Sequence, residues 1–160
     1  MRGSLFPRRI QVGPVVFRDP FFTCSLLYLL LYFDSSQFLR IGLLAAFLHE
    51  CGHILVFLAL FRRAPVIEVT MTGFCMQIRG FIFSRPQKFC LAAAGPAANA
   101  LLAAVWYLRL SQRFTVWDAA FLAANLLTGG FNLLPVPPLD GAQMLAALLQ
   151  KNEKLQSVPK

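Results

Sequence analysis

The sequence predicts an all-α membrane protein of about four transmembrane helices, with a small membrane-associated β-hairpin or sheet. Three observations carry this. Of the 160 residues 58% are hydrophobic and 14% charged, where an average soluble domain has roughly 45–50% apolar and about 25% charged residues; mean hydropathy is +0.62. The apolar residues gather into sparsely charged runs at about 21–33, 38–61, 88–110 and 116–134. Over 65–83 the apolar period shortens towards strand-like alternation, which suits a hairpin. A chain of this length makes one domain, 1–160.

Each element has its own reason. Arg2, Arg8, Arg9 and Arg18 flank an alternating segment, Ile10 to Phe17, which reads as a strand-like edge segment over 10–17, interrupted by Gly13 and Pro14, at the membrane surface. The apolar run behind it lacks a small-residue cleavage site, so the first helix is expected to stay. That run, 21–33, has 13 residues and spans only about 20 Å as a helix, against roughly 30 Å of hydrocarbon. The next, 38–61, has 24 residues with Arg40 near its start and Arg62-Arg63 behind it, long enough to cross. The hairpin of 65–83 has Thr72-Gly73 and Arg79-Gly80 as turn candidates. The Ala-rich run 88–110 contains Gly95-Pro96-Ala-Ala-Asn99, where small residues permit close helix contact and Pro96 frees a backbone carbonyl. The run 116–134 contains Asn125 and Asn132 and ends at Pro135-Val-Pro137-Pro138, which cannot continue a regular helix. A short helix over 139–150 and a disordered polar tail over 151–160 complete the chain.

The formal net charge of +8 is scattered through connecting segments, so it builds no nucleic-acid face. Lys and Arg number four in 1–20, one in 34–40, five in 62–88, two in 109–113 and three in 151–160. Larger counts alternate with smaller ones, which puts both termini and the 62–88 segment in the cytoplasm of a multi-pass cell-membrane protein. Cys24, Cys51, Cys75 and Cys90 show no Cys-x-x-Cys spacing and read as small buried apolar residues with no disulfide framework.

The second run contains His49-Glu50-Cys51-Gly52-His53, and these are the only histidines in the chain. On a helix His49, Glu50 and His53 share one face and Cys51 points away. Two imidazoles one turn apart can reach one zinc ion, and the carboxylate between them is placed to take a proton from a water that the metal activates. An unpaired Glu50 in so apolar a stretch would be costly, which argues against a helix that merely happens to carry two histidines. The motif lies roughly 12–18 Å from the cytoplasmic end of its helix. A catalytic zinc usually needs a third protein ligand. Asp140 stands out among the acidic residues because it follows a proline-broken helix and precedes Gly141. Serving as the N-cap of the last helix would suit it equally.

Three motifs in order, His49-Glu50-Cys51-Gly52-His53, Gly95-Pro96-Ala-Ala-Asn99 and Asn132-Leu-Leu-Pro135-Val-Pro137-Pro138-Leu139-Asp140-Gly141, closely resemble those of the site-2 protease family of intramembrane zinc metalloproteases. The resemblance covers roughly 13–150, and the compact layout looks most like the bacterial branch that includes the sporulation-type proteases. It implies a site-2 protease core, one Zn2+ held by His49, His53 and Asp140, Glu50 as general base, and Asn99 and Asn132 near substrate or metal. Helix-helix hydrogen bonds are the alternative use for both asparagines. The implied partners are the lipid bilayer, a substrate with a transmembrane segment, and a regulatory membrane protein, with no nucleic acid. With some twenty residues after Asp140, the peptide-binding or nucleotide-binding domains of larger members are not expected here. An inactive membrane scaffold of the same fold, or a small metal transporter, are the alternatives. A scaffold need not keep Glu50 and all three ligands, and a transporter would need further polar residues along its path.

Overall fold

The computed structural model describes residues 9–70, 73–77 and 83–149. Arg2 and Arg8, the expected turn at Arg79-Gly80 and the tail over 151–160 lie outside them. The chain opens on a β-hairpin, β1 (Arg9–Val12) and β2 (Val15–Arg18), where one interrupted strand was expected. Gly13 takes a positive φ of 59°, so Gly13 and Pro14 turn the chain back on itself instead of breaking one strand. β2 then pairs in parallel with β3 (Val66–Thr70), and β3 antiparallel with β4 (Gly73–Gln77), giving a four-stranded sheet in the order β1-β2-β3-β4. The amino-terminal segment is therefore built into the sheet through β2, which lies inside it.

Parallel pairing of β2 with β3 needs a crossover, and two helices supply it: α1 (Pro20–Phe33) and α2 (Phe38–Phe61). Because β2 runs into α1 and β3 follows α2, the start of α1 and the end of α2 lie at the same end of the molecule. α1 buries none of its residues. α2 buries Ala45, His49, Gly52, His53 and Phe57, a stripe at helical spacing. It stops at Arg62, whose left-handed backbone (φ 51°) lets its N–H donate to Leu58 O at 2.8 Å.

α3 (Arg85–Gln112) begins at Arg85, ahead of the expected Lys88, because Gln87 Oε1 accepts from the Ser84 N–H at 2.9 Å and Pro86 suits a first turn. At its far end Trp106 Nε1 donates to Asp118 Oδ1 at 3.1 Å and Arg109 pairs with the same oxygen at 3.1 Å. Thr115 caps α4 (Val116–Asn132) by accepting from the Asp118 N–H at 3.0 Å. The α3-α4 corner is thus fixed by one carboxylate. α4 stops at Asn132, short of the expected 134, and after the proline-rich turn α5 runs over Asp140–Leu149.

α3 is central, packed against α2, α4 and α5. The largest fully buried side chains are Phe57, Val16, Asn99 and Asn125, while Phe21, Tyr28, Leu55, Leu101 and Leu127 are exposed. Polar groups inside and large apolar groups outside suit lipid better than water. α2 and α3 are long and apolar enough to cross a membrane, while α1 has 14 residues and α4 has 17. Cys24, Cys51 and Cys90 are free thiols, and Cys24 and Cys90 are exposed where burial was expected.

Candidate metal centre

His49 and His53 stand one turn apart on the buried face of α2, at 3% and 8% exposure. Their Nε2 atoms lie 3.2 Å from each other and 3.0 and 3.3 Å from Asp140 Oδ2. Asp140 is the first residue of α5 and 8% exposed. Of the two uses open to it, its carboxylate takes the one that turns towards the imidazoles, while the Leu139 carbonyl accepts from the Gln143 N–H. The close passage behind it depends on Gly141, where a Cβ would lie 2.6 Å from Leu134 O and would overlap the Leu133 carbonyl.

The other face of each imidazole decides what this cluster can bind. His53 Nδ1 lies 2.8 Å from the Leu91 carbonyl, which can only accept, so Nδ1 carries the proton and Nε2 presents a lone pair. His49 Nδ1 lies 2.7 Å from Asn99 Oδ1, and the Asn99 Nδ2 donates to Asn125 Oδ1 at 3.1 Å and to Ala45 O at 3.5 Å. With its NH2 committed to two oxygens, Asn99 offers His49 its own oxygen, and His49 too is protonated at Nδ1. With each ring neutral, two imidazole lone pairs and a carboxylate oxygen converge. Three acceptors at this spacing call for a cation, supplied by a metal ion or by a proton on one Nε2. Ligands about 2.0–2.1 Å from a tetrahedral zinc would be about 3.3 Å apart, and the observed separations are 3.0 to 3.3 Å. Two nitrogens and a carboxylate, each imidazole held from behind by an acceptor, fit zinc.

Glu50, next to His49, is half-buried. Among the described residues no hydrogen bond reaches its carboxylate, which leaves it free to exchange a proton. Asn99 sits behind His49 at 0% exposure and makes helix-helix hydrogen bonds to α2 and α4. Asn132 ends α4, half-buried, with Nδ2 donating to Thr128 O at 2.9 Å, and the hydrogen bonds among the other site residues do not include it. Sequence reasoning gave no role to Asn125 or to the Leu91 carbonyl. A buried amide in an apolar run is a signal for Asn125, whereas nothing in a leucine side chain announces a backbone acceptor.

The geometry predicts that purified protein binds about one zinc per chain. His49→Ala, His53→Ala and Asp140→Asn should each weaken binding by more than the ~10–100-fold usual for loss of an outer hydrogen-bond partner, measured by chelator competition. Cys51→Ala should leave binding unchanged, since Cys51 is absent from the converging donors. A site emptied by Cys51→Ala yet full in Asp140→Asn would overturn this ligand set.

No family model matches the chain, and no curated protein matches it. Among solved structures it has the fold of a site-2 protease from Methanocaldococcus jannaschii, with a TM-score of 0.62 and 22% identity over 92% of this chain and 73% of that one. At this identity the likeness is one of fold, and it agrees with the fold implied by the three sequence motifs.

Proposed function

We propose that the protein is an intramembrane zinc endopeptidase of the site-2 protease type, hydrolysing a peptide bond in or near the transmembrane segment of a membrane-bound substrate. The observation that carries this is the convergence of three buried electron-pair donors beside an unengaged carboxylate, Glu50, on one helix face. His49, His53 and Asp140 hold the zinc. When bound, zinc supplies Lewis-acid polarisation of the scissile carbonyl and activation of a water. Glu50 takes the proton of the attacking water and delivers it to the leaving amide nitrogen, alternating between base and acid. The imidazoles keep their Nδ1 partners, Leu91 O and Asn99 Oδ1, throughout.

A transmembrane helix hides its peptide bonds, so the substrate must unwind, and an unwound segment in lipid needs new backbone partners. Strand addition to the sheet answers that need, and β4 is the strand of the second hairpin that lies at the sheet edge. The protein is multi-pass, with α1 to α4 as spans; the short α1 and α4 are accommodated by local thinning and by their neighbours. Since β2 and β3 share one end of the molecule, the basic segments beside them share one side of the membrane, which is the cytoplasmic side on the Lys/Arg counts. Reporter fusions should place both termini in the cytoplasm and the connection after Gln112 outside. An outward C-terminus would reverse the site's position.

The test of the activity is release of a fragment from a single-span substrate reconstituted with the purified protein, with and without zinc chelation. Cleavage restored by zinc after chelation is the expected result, and cleavage indifferent to chelation would remove the metal from the reaction.

A further inference from the structure

The two histidines solve the same problem in different ways. His53 has its Nδ1–H fixed by a backbone carbonyl, an acceptor with no alternative. His49 faces the side-chain amide of Asn99, which offers oxygen in one orientation and NH2 in the other. Flipped, Asn99 would donate to Nδ1, push the His49 proton to Nε2 and aim an N–H at the position where the metal is needed. Something must therefore hold the Asn99 amide the right way round.

We infer that Asn125 is a positioning residue for His49, acting through Asn99 to fix which imidazole nitrogen carries the proton, and so to keep Nε2 open for the metal. This rests on the zinc reading above. Asn99 Nδ2 donates to Asn125 Oδ1 at 3.1 Å, and Asn125 Nδ2 donates to the Phe121 carbonyl at 2.8 Å. If Asn99 alone flipped, its oxygen would face Asn125 Oδ1 and the Ala45 carbonyl. If Asn125 flipped with it, the Asn125 oxygen would face the Phe121 carbonyl. Every wrong arrangement sets oxygen against oxygen, and both asparagines are 0% exposed, so water does not relieve the mismatch. The direction of the chain is thus set at one backbone carbonyl of α4 and passed through α3 to a ring on α2.

The experiment uses the purified 160-residue chain in detergent. Asn125→Leu replaces the amide by an apolar group of similar volume, and Asn125→Ala, which places nothing in the way, is carried beside it in case the first does not fold. The chain has two histidines, so the imidazole 15N spectrum of the metal-free protein in alkaline buffer resolves each ring. Wild type should show His49 with its proton on Nδ1. Either Asn125 variant should show a mixture at His49, no change at His53, and zinc affinity lower by about tenfold, the mild end of the outer-partner range. In an Asn99→Asp background one carboxyl oxygen still accepts from His49 Nδ1, while the other, set against Asn125 Oδ1 and the Ala45 carbonyl at 0% exposure, takes up a proton and donates to Ala45 O. His49 then keeps its Nδ1 proton without Asn125, and Asn125→Leu should cost no further affinity. A packing role would cost the same in both backgrounds, and that result overturns the inference, as does an unchanged His49 spectrum in both Asn125 variants. Failure of wild type to bind zinc would overturn the zinc reading, while the imidazole spectra would still decide the relay.

Discussion

Glu50→Gln is expected to keep about one zinc per chain and a folded structure while losing cleavage by ~10²–10⁴-fold, the usual contribution of a general base. Glutamine has almost the same shape but cannot take the proton of the attacking water. The substitution is unusually clean here because, among the described residues, no hydrogen bond to the Glu50 carboxylate is lost, whereas Asp140 Oδ2 lies 3.0 and 3.3 Å from the two imidazoles. On the proposed reading, the two acidic residues separate by their partners into a holder and a base. Co-expression of each variant with a single-span substrate, following the released fragment and the zinc content in parallel, decides it. Full cleavage by Glu50→Gln would refute the assigned role, and loss of zinc in that variant would make Glu50 part of the holding set. An inactive scaffold would release no fragment with either residue at position 50.

What the sequence could show was local, and what it could not was partnership. The helix over Phe38–Phe61 follows from one long, mostly apolar run ended by two arginines, and the shared face of His49 and His53 follows from helical geometry alone. The amino-terminal hairpin escaped because Gly13-Pro14 reads equally as an interruption or as a turn, and only the antiparallel pairing of β1 with β2 distinguishes them. Asp140 had two equally sound local uses. Its choice depends on α5 meeting α2 across 91 residues, which no window on the sequence contains. Asn99 could be assigned to the site from its motif, but its contact is with the back of His49, and that contact in turn depends on an asparagine 26 residues further on. Alternation, caps and charge runs are written along the chain; the orientation of a buried amide is decided by whatever faces it.

Gly95→Ala is expected to reduce zinc from about one per chain to nearly none, and cleavage with it, although alanine is the better helix former by about 0.5–1 kcal/mol. Leu91, Gly95 and Asn99 lie four residues apart on α3, so they share one face. The outer two hold the imidazoles from behind, through Leu91 O to His53 Nδ1 at 2.8 Å and Asn99 Oδ1 to His49 Nδ1 at 2.7 Å. Between them, a Cβ on residue 95 would overlap Nε2 of both histidines and lie 2.6 Å from His49 Cε1. The space left by the missing side chain is the space in front of the donor nitrogens. α3 cannot retreat to make room, because the two hydrogen bonds on either side of Gly95 set its distance from α2, and both belong to the site. A methyl group there must displace the rings or the ion, and either empties the centre. Gly42→Ala, on α2 where nothing lies within 4 Å of a new Cβ, serves as the control and should bind zinc as wild type does. Circular dichroism should show unchanged helix content in both variants, so that a fall in zinc confined to Gly95→Ala reports the site and not the fold. Full zinc in Gly95→Ala would mean that the metal, if it binds, does not sit between His49 and His53.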